Sequence, residues 1–79
     1  MDEARLKKCF AEAFGLAPEQ VKDDLAYQGI KAWDSVGHMA LVAALEAEFG
    51  VMFDTDEIIA LGSVAVARDL LRKRGVYPA

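Results

Sequence analysis

Cysteine, histidine and serine are scarce in this sequence of 79 residues. Cys9 is its single cysteine, so no internal disulfide can form, and a reducing cytoplasm suits such a chain. His38 is the one histidine. A lone His and a lone Cys make no metal-ligand constellation, and no metal is expected. The serines are two, Ser35 and Ser63. Long hydrophobic runs are missing as well. The longest, Met39 to Leu45, falls far short of the roughly 20 residues that span a bilayer. The N-terminus, with Asp2 and Glu3, lacks the apolar stretch of a secretory signal. A cytoplasmic chain with no membrane partner is therefore expected.

Positive charge is absent from the middle. No Lys or Arg falls between Lys31 and Arg68, whereas Asp34, Glu46, Glu48, Asp54, Asp56 and Glu57 all do, and the net charge is −4. An acidic centre repels phosphate backbones and attracts basic proteins, which argues against a small helical DNA-binding domain and against any nucleic-acid partner. The acidic run Asp54-Thr55-Asp56-Glu57 fails as a calcium loop. Its fifth and sixth positions would be Ile58 and Ile59 instead of a ligand and a glycine, and no Glu closes it.

With 54% hydrophobic and 28% charged residues and no internal repeat, the sequence reads as one globular domain over 1–79. Its periodicity is helical throughout. Leu6, Cys9, Phe10, Ala13 and Phe14 share one face of a helix over 3–14 that Gly15 stops. Cys9 lies inside that stripe, as a small buried hydrophobe and not a nucleophile. From Gly15 to Trp33 the apolar residues are irregular, as in a long loop pinned to a core; Pro18 starts a helical turn there. A short helix over 55–61 follows a capping-box spacing, Asp54 with Glu57. Ser63 caps a last helix over 63–74, with Arg72, Lys73 and Arg74 suited to its C-terminal dipole. Leu6, Phe10, Leu41, Leu45, Phe49, Ile58, Leu70 and Leu71 are expected to be largely buried. Val76 to Ala79 form a tail.

The helix over 35–49 organises the rest. Asp34 or Ser35 caps its start, and Gly50 ends it as a left-handed residue. His38, Leu41, Val42, Leu45 and Phe49 form one stripe, at i, i+3, i+4, i+7 and i+11. Val36, Met39, Ala40, Ala43 and Ala47 form a second stripe on another side. A chain this short can rarely cover both faces of one helix, so one stripe is expected to face water beside Ser35.

The run Asp34-Ser35-Val36, followed by L-V-A-A-L-E-A-E-F-G, resembles the acyl carrier proteins and the related peptidyl carrier domains, and the likeness covers nearly the whole chain. In that family an Asp-Ser-Leu opens the second helix, and its serine carries a 4′-phosphopantetheine arm. The resemblance implies an all-α fold, a small four-helix bundle of three longer helices and one short one. It also implies that Ser35 is the covalent attachment site, with Asp34 adjacent to it. Val36, Met39 and Ala43 would then form a shallow docking surface, flanked by the acids Glu46, Glu48, Asp56 and Glu57. The implied partners are a phosphopantetheinyl transferase, an acyl- or aminoacyl-loading ligase, and acyltransferase or synthase enzymes. The chain itself is expected to be a non-catalytic monomer.

The departures from the family pattern bear on the pathway. Fatty-acid carriers usually have acids in the first turns of this helix, where this sequence has Gly37 and Ala40, with His38 between them. A less acidic, more apolar partner surface favours a specialised route: a polyketide, an aminoacyl or hydroxyacyl unit, or an acyl group that modifies a saccharide. Catalysis by Ser35 with His38 is disfavoured, because His38 sits on the core stripe and lacks an orienting carboxylate and oxyanion donors. The alternative function is a carrier-like interaction module without the arm, docking through the Val36, Met39 and Ala43 face.

Overall fold

The computed structural model describes residues 2–77. Its helices are α1, Asp2–Phe14; α2, Ser35–Phe49; α3, Thr55–Ala60; and α4, Val64–Lys73, with a 3-10 turn at Pro18–Gln20 between the first two. No strand occurs among the described residues, only an isolated antiparallel bridge between Ala26 and Ser63. This is the all-α four-helix plan, three longer helices and one short one. The expected helical spans hold to within a residue at each end. The differences are that α1 takes in Asp2, α3 stops at Ala60, and Ser63 and Arg74 flank α4 as its caps. Of the C-terminal tail, Pro78 and Ala79 lie outside the described residues.

The caps explain those ends. Asp34 accepts from the amide of Gly37, Asp54 from that of Glu57, and Ser63 from that of Val66; each satisfies a first-turn donor that has no intrahelical partner. The Asp54 box is reciprocal, since the Glu57 carboxylate accepts from the Asp54 amide at 3.0 Å. Gly50 takes the left-handed conformation (φ 67°) that closes α2.

The core forms where the four helices face one another. Leu6, Phe10, Leu41, Leu45, Phe49, Leu70 and Leu71 are buried as their periodicity requires, and Cys9 is buried with them. Ile58 is the exception. It is half-buried at the edge of the core, because a helix of six residues presents too little face to bury two consecutive isoleucines. Its place inside is taken by residues from irregular segments: Val21, Trp33, Phe53 and Leu61 are all buried.

Trp33 is fully enclosed. Its ring meets Phe10 edge-on at 5.6 Å, and it stacks on Phe14 at 5.0 Å and on His38 at 6.3 Å. One side chain thereby fixes the end of the long loop against α1 and the start of α2. Backbone hydrogen bonds hold the same loop to the α3–α4 corner: Tyr27 N–H to the Gly62 carbonyl at 2.9 Å, and Val64 N–H to the Leu25 carbonyl at 3.1 Å. At the far end of α2, Arg5 of α1 donates to the Glu48 carboxylate at 3.0 Å and lies over the Phe49 ring.

Candidate functional site

Ser35 is the first residue of α2 and is exposed. Its position follows from two local features. Asp34, extended at φ −106° and exposed, puts its carboxylate on the Gly37 amide at 2.8 Å, so the turn beginning at Ser35 is closed by its own neighbour. Gly37 then lets the loop pass close by. A Cβ built there would lie 2.0 Å from the carbonyl oxygen of Ala32, a backbone atom that cannot swing away. In this fold Gly37 is a packing requirement. The first hydrogen bond of the helix is His38 N–H to the Asp34 carbonyl at 2.7 Å. The amides of Ser35 and Val36 have no partner among the described residues, and they lie at the positive end of a helix of 15 residues.

His38 is turned away from Ser35. Trp33 Nε1–H donates to its Nδ1 at 3.0 Å, and its Nε2 lies 2.8 Å from the Ile58 carbonyl oxygen. A carbonyl only accepts, so Nε2 carries the proton and the ring is the neutral Nε2–H tautomer. Both nitrogens are committed, and no base from this ring reaches the serine. The hydroxyl that does reach it belongs to Tyr27, 3.3 Å from Ser35 Oγ.

The second stripe of α2 is open. Val36 is 80% exposed and Met39 54%, and Ala40, Ala43 and Ala47 are exposed as well. Ile59 of α3, at 76%, and Met52, at 78%, add exposed apolar surface that the sequence pattern did not single out.

The four acids proposed to flank this surface are not alike. Glu46 accepts from the Phe53 amide at 2.9 Å and staples the α2–α3 connection. Glu48 pairs with Arg5 and with Lys8 on the α1 side, on another face from Met39 and Ala43. Glu57 is bound by Arg74 and by the Asp54 amide, and these hold its carboxyl below the ordinary carboxylate range. Only Asp56 is exposed with no partner among the described residues. Cys9 takes no part, since burial pushes its thiol up to about 11.

Ser35 therefore stands as an exposed hydroxyl at the start of a long helix, beside an open apolar face and out of reach of the His38 ring. The chain matches the family model described as "Phosphopantetheine attachment site" over residues 4–71, and it belongs to that family. Proteins of this family carry covalently attached 4′-phosphopantetheine. They are generally non-catalytic, and they work with phosphopantetheinyl transferases and with synthase or ligase enzymes. Among the described residues no helix is long and apolar enough to cross a membrane.

Proposed function

We propose that Ser35 carries the 4′-phosphopantetheine arm and that the chain presents an acyl or aminoacyl intermediate to partner enzymes of the cytoplasm, as one monomeric carrier domain. The observation that carries the reading is the display of Ser35: exposed, first in α2, and preceded by a cap that closes the turn without using the serine hydroxyl. Ser63 offers no equivalent, since its Oγ accepts from the Val66 amide at 3.1 Å and is occupied as a cap. The residues present fit the group. A phosphodiester on Ser35 is an anion at a helix N-terminus, beside two unpartnered amides. When bound, the arm supplies a terminal thiol that holds cargo as a thioester.

This chain's own residues contribute placement. Asp34 fixes the turn, and Trp33 with His38 holds it against the core. Val36, Met39 and Ala43 form the apolar ground on which a transferase, a loading ligase or a synthase docks. Among the acids named for steering basic partners, Asp56 has its charge free to act at a distance. Ala40, exposed where fatty-acid carriers usually have an acid, keeps that ground apolar and supports a specialised biosynthetic pathway.

Intact mass after incubation with coenzyme A and a broad-specificity phosphopantetheinyl transferase tests the reading. The expected outcome is a gain of one arm, mapped to the Ser35 peptide and absent from Ser35→Ala. Full modification of Ser35→Ala, or no gain with several transferases, overturns it; the second result leaves the armless docking module in its place.

A further inference from the structure

We propose that Tyr27 is the positioning residue of the attachment serine, holding the Ser35 hydroxyl before modification and the phosphodiester oxygens after it. This rests on the reading of Ser35 as the attachment site.

Tyr27 is 39% exposed, yet its amide, ring and hydroxyl are each engaged. Its amide donates to the Gly62 carbonyl. Its ring stands edge-on to His38, with centroids 5.5 Å apart and planes at 80°. His38 is itself locked between the Trp33 indole and the Ile58 carbonyl. The next residue, Gln28, has φ 63°, a left-handed conformation that a side chain other than glycine's adopts at a cost of order 1–3 kcal/mol. Its amide closes the loop onto the Trp33 carbonyl at 2.9 Å, which holds the residue in that conformation. The bracket ends in a phenol hydroxyl whose one partner among the described residues is Ser35 Oγ. Phenylalanine would serve the ring contact with His38 equally well, so the hydroxyl is the part that calls for a use.

Chemistry gives that use a direction. At 3.3 Å, between two exposed neutral hydroxyls, the bond is long and weak. In modification by coenzyme A, Ser35 Oγ bonds to phosphorus, a P–O bond of the pyrophosphate breaks, and 3′,5′-adenosine bisphosphate leaves. The hydroxyl proton passes to a base of the transferase. Ser35 then has no hydrogen to donate, so Tyr27 becomes the donor, toward an anionic acceptor, and such a bond is about twice as strong.

The test compares wild type and Tyr27→Phe, each before and after modification. The unmodified proteins should agree in far-UV helicity and melting temperature. Tyr27→Phe should still be modified at Ser35, but with kcat/KM lower by roughly three- to tenfold, as the loss of one hydrogen bond to the phosphoryl oxygens in the transition state implies. The 31P resonance of its phosphodiester should move toward the position seen for the urea-unfolded modified protein. Equal rates, or an unmoved 31P resonance even with a slower rate, overturn the proposal while leaving Ser35 as the site. Failure of both proteins to take the arm at Ser35 overturns the attachment reading and this proposal with it. Should Tyr27→Phe melt early, the 31P comparison made in Tyr27→Leu, whose side chain has no hydrogen-bond donor, decides in the same way.

Discussion

At the scale of single residues, glycine 37 carries the sharpest consequence. Helix propensity alone favours replacing it, since alanine is better than glycine inside a helix by about 1 kcal/mol. The Ala32 carbonyl, 2.0 Å from where a Cβ would sit, opposes this, with Phe14 Cε1 a further neighbour at 3.3 Å. Backbone must shift to admit the methyl, and the shift acts on the loop that carries Trp33 and on the turn that carries Ser35. Gly37→Ala is therefore expected to destabilise by about 1–3 kcal/mol, the usual range for overpacking. Urea denaturation checks it, and a variant within 0.5 kcal/mol of wild type, or stabilised (about the noise of a surface change), shows that the loop relaxes freely.

At the scale of elements, α2 is apolar on two sides, and only one of them is covered. Leu41, Val42, Leu45 and Phe49 face α1 and the core, while Val36 and Met39 face water. Burial of a methionine side chain stabilises a fold by about 1.5–3 kcal/mol; at 54% exposed, Met39 contributes little of that to this fold. Met39→Glu should accordingly leave helicity and melting temperature nearly unchanged and still weaken transfer of cargo to or from a partner enzyme. Differential scanning calorimetry together with a transfer assay separates the two. A large fall in melting temperature would assign Met39 to the core and remove the docking argument for this face.

At the scale of the whole molecule, ion pairs tie the ends of the chain together. Arg68 of α4 donates to Glu3 of α1 at 2.8 Å and to Asp23 of the long loop at 2.9 Å. Tyr77 also donates to Glu3, and Arg74 grips Glu57. Hydrogen bonds from Arg68 hold the carboxyls of Glu3 and Asp23 below their ordinary range, and those from Arg74 do the same for Glu57. A depressed carboxylate contributes stability that is fully present above its unfolded pKa and is lost as pH falls through its folded one. Acid should therefore loosen this protein beginning below about pH 4.5, the ordinary glutamate range. Solvent screening keeps the effect modest, because Glu3 and Asp23 are 41% and 69% exposed. Arg68→Gln should be less stable than wild type near neutrality, with the gap narrowing as pH falls. Melting temperatures taken across that range test it, and a gap that widens in acid contradicts it.

What the sequence by itself determined is whatever depends on neighbours a few residues away. Helix ends were legible because a cap is a bond between i and i+3, as in Asp34 with Gly37, Asp54 with Glu57, and Ser63 with Val66. The two stripes of α2 were legible because a helix repeats every 3.6 residues, and the shortness of the chain implied that one would stay open. Tertiary structure decided the rest. Nothing local to Tyr27 announces that its hydroxyl stands by Ser35; a bond to Gly62, far along the chain, puts it there. The pairing of Glu48 with Arg5, and of Glu57 with Arg74, turned acids that read as free surface charge into struts. Ile58 and Ile59 are chemically identical neighbours, and only the placement of a six-residue helix against His38 made one half-buried and the other exposed. Capping and periodicity act within an element, but the environment of a side chain is set by what folds against it from elsewhere in the chain.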